Sequence, residues 1–321
     1  MIKEACNLYS KVNRDKLLEL RSRLEEVQKL SLTEMLHFKY EINAEPIYKS
    51  IVKLFNGLSL PESIIQLGRV ATIHNIEDLK KDVIENQSKS ILSSLFRSSM
   101  LNDKGQTVQK LAPLGTTAES TDSEVLYKHM VKLASERRNL STSIALNYAL
   151  YFFKKSDDFS KESLNFLVDD NAIIPENRAE IIKDGLYLGL SGNLYAAMHI
   201  LLPQTENIFR NLLKNCGDTI TFLKEDGTET YKPLSALLKS EKLKECYDDN
   251  IIFTFQSIMD EPIGENLRNL NAHDVLEPEK GNGSSALYFL CLVIRLLSMY
   301  APNALPIIIK LAEKNSCTET E

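Results

Sequence analysis

A short segment near the C-terminus gathers residue types that act on phosphate esters. It begins at Asn266 and contains Arg268, Asn269 and His273. A guanidinium binds phosphoryl oxygens through paired hydrogen bonds, and an imidazole transfers protons near neutral pH. Because no carboxylate stands among these donors, we expect the group to suit a phosphodiester. Arg268 would neutralise charge on the phosphoryl oxygens, His273 would act as general acid and base, and Asn269 would orient the phosphate or the imidazole.

The spacing of this segment restricts how its side chains can meet a ligand. Arg268 and His273 are five residues apart, which separates them by about 140° on a straight helix. They do not share one face, but both can reach a groove beside the helix. Pro262 and Gly264 stand just upstream. We expect the helix to begin there, with free backbone N–H groups that attract an anion.

The string R-N-x-x-A-H, from Arg268 to His273, resembles the R-[polar]-x-x-x-H signature of HEPN domains (higher eukaryotes and prokaryotes nucleotide-binding). The surrounding order is similar to that of a family of bacterial HEPN-type proteins of largely uncharacterised function. MHILLPQTENIFRNLLKNCG precedes a predicted hairpin, and NLRNLNAH and a long apolar helix follow it. The resemblance covers about residues 160–315. Such families commonly place glycine where this chain has Asp274, although aspartate tolerates a left-handed backbone better than most residues.

The resemblance implies a metal-independent endoribonuclease that needs no cofactor. The 2′-OH of RNA would attack the adjacent phosphorus and leave a 2′,3′-cyclic phosphate and a 5′-OH, with Arg268, Asn269 and His273 as the catalytic residues. It also implies a homodimer in which the sites of two copies meet in one cleft. RNA is the expected partner, in a bacterial defence or toxin setting, with a regulatory protein as a further expected partner.

Three residues are expected to support this site. Glu206 and Arg210 are spaced i, i+4 and most simply pair with each other on one helix. The same resemblance suggests that this helix packs beside the Arg268 segment, so Glu206 could instead hold Arg268 in place. Asn266 is the third supporting residue.

His199 stands among apolar neighbours and is expected to be a packed core histidine.

The sequence leaves two other functions open. A HEPN module without catalysis would bind a nucleotide or a partner protein. The net charge of −6 favours it, because the negative charge is concentrated in the second half of the chain and would repel nucleic acid. A helical interaction scaffold with no chemistry would instead place Arg268 and His273 apart, each pointing into protein.

Hydrophobic residues recur at helical spacing along most of the chain, so we predict an all-α fold. A helical N-terminal domain of unknown role, residues 1–155, would precede a HEPN-like helical bundle, residues 156–321. One small β-hairpin is expected at about 219–232, where Asp226 and Gly227 would supply the positive φ angles of a tight turn. Residues 101–122 lack any periodicity and predict an exposed loop.

Several features favour a cytoplasmic protein that does not span a membrane. Five scattered cysteines argue against a disulfide framework, and the N-terminus lacks the apolar core of a secretory signal. The final apolar helix is interrupted by Arg295, so we expect it to be buried in the core. Arg137 and Arg138 are expected to lie on a solvated basic face of a long helix over residues 123–155.

Overall fold

In a computed structural model, the described residues are 1–35, 41–89, 95–102, 104–115, 122–154 and 158–318. They are mostly helical, and their strands form two small antiparallel hairpins. The predicted all-α class with a small hairpin is therefore confirmed.

The elements follow one another along the chain, and three short helical turns join them. These turns are a π-helical turn at Arg138–Thr142 and two 3₁₀ turns at Lys161–Leu164 and Pro302–Ala304. The helices and strands are α1 (Ile2–Tyr9), α2 (Arg14–Thr33), α3 (Glu45–Phe55), α4 (Leu60–Val70), α5 (Ile76–Lys89), β1 (Ser98–Leu101), β2 (Thr107–Leu111), α6 (Ser123–Arg137), α7 (Ser143–Phe153), α8 (Asn165–Val168), α9 (Ala179–Leu190), α10 (Leu194–Asn215), β3 (Thr221–Leu223), β4 (Glu229–Tyr231), α11 (Leu234–Leu238), α12 (Glu241–Cys246), α13 (Asp249–Met259), α14 (Leu267–Ala272), α15 (Pro278–Gly281), α16 (Ser284–Tyr300) and α17 (Leu305–Thr318).

The chain divides into two compact units, each assembled from separate stretches of sequence. The first comprises Met1–Ile42 and Val83–His129, and the second comprises Asn43–Asp82 and Met130–Glu321. This division differs from the predicted one, because α3, α4 and α7 pack into the same hydrophobic core as the C-terminal helices. The predicted boundary itself falls at residues 155–157, outside the described residues.

The first unit contains a hairpin that the sequence pattern did not reveal. Strands β1 and β2 pair in antiparallel register from Ser98 opposite Leu111 to Leu101 opposite Thr107. Lys3 on α1 donates a hydrogen bond to the Thr107 hydroxyl at 3.0 Å. The predicted exposed loop is therefore wrong for its first ten residues or so, where a short strand was too polar to show alternation. Residues 103 and 116–121 of that loop lie outside the described residues.

Helix α16 lies at the centre of the second unit and packs against α4, α7 and α10. Most of its side chains are buried, as predicted for a core helix. By length and apolar composition, Pro278–Tyr300 is the one stretch of the described chain that could cross a membrane, and 67% of its apolar window is buried inside the protein. Arg295 donates to the Ala71 carbonyl at 2.8 Å, just beyond the C-terminal end of α4, and burial lowers the pKa of this guanidinium.

Both ends of α10, the helix that carries Glu206, are set by residues close to them in the sequence. The Asn193 side chain caps it by accepting the Ala196 N–H. The helix ends before Gly217, whose φ of 76° allows the reversal.

The hairpin that follows α10, formed by β3 and β4, is as predicted, but its turn differs. Only Gly227 has a positive φ, and its N–H bonds the Lys224 carbonyl, so the connection is a three-residue loop rather than a two-residue turn.

The expectation of a solvated Arg138 is wrong. A π-helical turn begins at Arg138, and this residue is only 3% exposed. Its guanidinium forms two hydrogen bonds with the Glu265 carboxylate, of 3.0 and 2.5 Å, and donates to the Ser257 hydroxyl at 3.0 Å. It also lies over the ring of Tyr288, 5.5 Å from the centroid. Local sequence does not reveal that Glu265, 127 residues away, is the partner that makes this burial possible.

His74 lies close to this buried pair and gives the protein a pH dependence. Burial and the charges of Arg138 and Arg137 lower the pKa of His74 to about 3. In the unfolded chain the pKa of this imidazole is about 6.5. Between these values the unfolded state binds more protons. We therefore expect the free energy of unfolding to fall as the pH drops from about 6.5 towards about 3, by up to about 1.4 kcal/mol per pH unit.

Urea unfolding between pH 7 and 4.5 measures this effect, because most carboxylates stay ionised there. The parent protein should lose stability over this range faster than the His74→Gln variant. Parallel pH profiles for the two proteins would show that His74 titrates normally in the folded state.

Candidate functional site

The predicted site residues lie on two helices of the second unit. Helix α10 carries Glu206 and Arg210 one turn apart, and the short helix α14 carries Arg268 and Asn269. The two helices pack against each other. Asn266 precedes α14 with a φ of 54°, a left-handed conformation that asparagine adopts more readily than most residues. This sharp entry turns the first residues of α14 towards α10.

Side-chain hydrogen bonds join five of the six predicted residues into one chain. Asn269 donates through Nδ2 to Asn266 Oδ1 at 2.7 Å and accepts through Oδ1 from Arg268 at 3.1 Å. Arg268 Nε donates to one oxygen of Glu206 at 2.7 Å, and Arg210 donates to the other at 2.5 Å. The structure thus realises both pairings that the sequence left open for Glu206.

This hydrogen-bonded chain fixes the orientation of Arg268 while leaving part of it accessible. Glu206 is only 7% exposed, so its bonds are shielded from water and hold their geometry better than a surface pair would. The Arg268 side chain is 27% exposed. Among the described residues, its Nη2 has no hydrogen-bond partner. Two arginines around one carboxylate give these three side chains a net positive charge, which favours an anionic ligand.

His273 is the sixth predicted residue, and it stands outside this chain of side-chain bonds. It forms the C-cap of α14, with its backbone N–H bonded to the Asn269 carbonyl at 3.2 Å. The residue is exposed, and within the described part of the protein its imidazole makes no hydrogen bond. It is therefore free to meet a ligand from solvent, on the same short helix as Arg268.

Asp274 occupies the position where a helix most often ends in glycine. Its φ is 53°, a left-handed conformation that aspartate tolerates better than most residues. The N–H groups of Asp274 and Val275 bond the carbonyls of Asn271 and Leu270, the pair of bonds that closes a Schellman motif. The substitution of aspartate for the usual glycine thus leaves the backbone turn after His273 intact.

One expectation about the site is wrong. Helix α14 begins at Leu267 rather than at Pro262 or Gly264, so the helix start lies a few residues later than expected. Gly264 serves packing instead: a Cβ atom there would lie 1.9 Å from the Ser257 carbonyl oxygen, and its own N–H bonds the Glu261 carbonyl.

Asp260 is a neighbour of the site that sequence reasoning missed. Burial raises the pKa of its carboxyl group, while a hydrogen bond from Asn269 and the charges of Arg268 and Lys239 act in the opposite direction. Asn269 also donates to the Asp260 carbonyl at 3.3 Å. Asp260 lies at the end of α13. It comes close to the site because α13 packs against α14, and the sequence does not reveal that packing.

His199, the predicted core histidine, packs edge-on against the ring of Tyr195 with centroids 4.7 Å apart.

Among the described residues, no three His, Cys, Asp or Glu side chains are grouped so that they could hold a metal ion.

Comparison with known proteins identifies no relative: no protein-family model, curated protein or solved structure is significantly similar to this chain.

Proposed function

We propose that this chain contains a HEPN-type domain that cleaves RNA without a metal ion, with Arg268, Asn269 and His273 as its catalytic residues. The observation that carries the proposal is the hydrogen-bonded chain from Asn266 to Arg210. It presents a partly exposed guanidinium with one net positive charge, on the same six-residue helix that ends at an exposed imidazole. A guanidinium and an imidazole at one site are suited to phosphoryl transfer.

The proposed reaction is an internal transesterification. His273 accepts the proton of the 2′-OH, and the 2′ oxygen attacks the adjacent phosphorus. The bond from phosphorus to the 5′ oxygen breaks, and an imidazolium, of the same or a second copy, returns a proton to that oxygen. Arg268 stabilises the charge that grows on the non-bridging oxygens, and this stabilisation is usually the largest contribution in such reactions.

The supporting residues have positioning roles in this proposal. Glu206 restricts the rotation of Arg268 by binding its Nε, so the remaining N–H groups point in a fixed direction. Asn269 is held between Asn266 and Arg268.

A homodimer with a shared cleft is part of the proposal. The exposed apolar side chain of Val275, two residues after His273, is one that a second copy could cover.

Cleavage of a labelled RNA by the full chain in EDTA tests the proposal. We expect fragments that end in a 2′,3′-cyclic phosphate, and no cleavage of the same sequence carrying 2′-O-methyl groups. Arg268→Ala should reduce the rate by about 10²–10³-fold, the usual effect of removing one oxyanion donor. Arg69→Ala, which removes an exposed arginine of α4, is the matched control and should cleave like the parent.

Failure to cut any RNA, or equal cutting by the Arg268→Ala variant, would rule out this function. Nucleotide or partner binding without cleavage would favour the alternative, a non-catalytic HEPN module.

A further inference from the structure

A pocket of about 440 Å³ lies in the second unit, on the side of α10 that carries Arg210. Its walls come from the segment before α9, from α10 and from the β3–β4 hairpin. A volume of this size falls in the range of small-molecule sites and exceeds what one inorganic anion fills.

Among the residues that the structure describes, three cations line this pocket and no acidic residue does. They are Arg178, Arg210 and Lys214. Arg178 and Lys214 are exposed at the rim, and within the described residues neither takes part in an ion pair. Unpaired cations around a concave surface create a local positive potential, although the second half of the chain is acidic as a whole. The pocket is therefore suited to an anion.

The remaining wall offers neutral polar groups and one aromatic ring. Three carboxamides line it: Gln204, Asn207 and Asn211. The Oε1 atom of Gln204 and the Nε atom of Arg210 are buried without a hydrogen-bond partner in the described part of the chain. Tyr231 is 69% exposed, and Arg210 covers one face of its ring at 5.3 Å from the centroid. This exposure leaves ring surface that a ligand in the pocket could contact.

We infer that this pocket binds a nucleoside phosphate as a separate ligand. Arg178, Arg210 and Lys214 would hold its phosphate, since arginine forms paired bonds with phosphoryl oxygens. The sugar and base would occupy the rest of the pocket, beside the exposed ring of Tyr231 and the carboxamides of Asn207 and Asn211. An inorganic phosphate would use the cations but not the ring, so it should bind more weakly.

Arg210 connects this pocket to the candidate site. The same guanidinium that lines the pocket donates to Glu206, which in turn holds Arg268. A phosphate bound by Arg210 competes with Glu206 for it, so occupancy of the pocket changes the charge around Arg268. The binding inference itself does not rest on RNA cleavage.

Calorimetric titration of the full chain with AMP, GMP, CMP, UMP and ATP tests the inference. We expect at least one of them to bind with a Kd below about 1 mM, and adenosine and inorganic phosphate to bind at least about tenfold more weakly than the best nucleotide. The double variant Arg178→Ala/Lys214→Ala should lose at least about tenfold in affinity, because each charge-assisted hydrogen bond contributes about that factor or more. Lys80→Ala, an exposed cation on α5, should bind like the parent.

Absence of binding by all five nucleotides, or unchanged binding by the double variant, would overturn the inference. The inference also fails if the parent binds no nucleotide and the double variant loses affinity for RNA. In that case the two cations serve to bind the RNA backbone. Titration of His273→Ala separates the two proposals: it should bind the nucleotide normally even though it is expected not to cleave.

Discussion

Replacing Glu265 with alanine is expected to lower the free energy of unfolding by about 3–5 kcal/mol, the range for removing one partner of a buried ion pair. Arg138 and Glu265 are 3% and 4% exposed. Burial alone would lower the pKa of Arg138, but the charge and hydrogen bonds of Glu265 raise it overall. Without Glu265 the guanidinium remains charged in the core, where among the described residues it keeps only the Ser257 hydroxyl and the Tyr288 ring as partners.

Urea unfolding followed by circular dichroism measures this loss. Glu241→Ala is the matched control, because Glu241 pairs with Lys244 on the surface and its side chain is largely exposed. The control should change stability by less than about 0.5 kcal/mol. A loss below about 1 kcal/mol for Glu265→Ala would mean that water reaches Arg138 and that the pair is not truly buried.

Replacing His273 with alanine is expected to reduce the single-turnover rate constant of RNA cleavage by about 10²–10⁴-fold, the usual contribution of a general acid–base group. The free energy of unfolding should stay within about 0.5 kcal/mol of the parent. The imidazole is exposed and makes no hydrogen bond within the described part of the protein. The helix end depends on backbone bonds to Asn271 and Leu270, which alanine preserves.

Single-turnover cleavage and urea unfolding of the same preparation give both quantities. Addition of free imidazole should restore part of the lost rate, which a merely structural role for His273 would not allow. His199→Gln is the histidine control, because the His199 ring packs against Tyr195 and takes no part in the proposed reaction. Parent-like cleavage by the His273→Ala variant would remove His273 from the mechanism.

The fold was predictable where local chemistry decides it. Asn193 and Gly217 mark the ends of α10 because capping and helix reversal depend on a few adjacent residues. The division of the chain into two units was not predictable, since α3 and α4 join the C-terminal core across more than one hundred residues. Arg138 shows the same limit: its sequence neighbours suggest a surface helix, and only its distant partner Glu265 explains its burial.

The candidate site divides in the same way. Arg268, Asn269 and His273 stand close together in the sequence and could be singled out from residue type and spacing. The i, i+4 spacing identified the Glu206–Arg210 pair, but local spacing could not decide whether Glu206 also reaches Arg268. Asp260 and the cationic pocket were missed because their residues come from several elements that meet only in the folded chain.

The central claim is that Arg268 and His273 act on the same phosphodiester, and a double-mutant cycle tests it most directly. Single-turnover cleavage in EDTA would be measured for the parent, Arg268→Lys, His273→Gln and the double variant. Residues that act together in one transition state are strongly non-additive, so the double variant should lose far less than the product of the two single losses. Losses that multiply, or a parent protein that leaves RNA intact, would contradict the account.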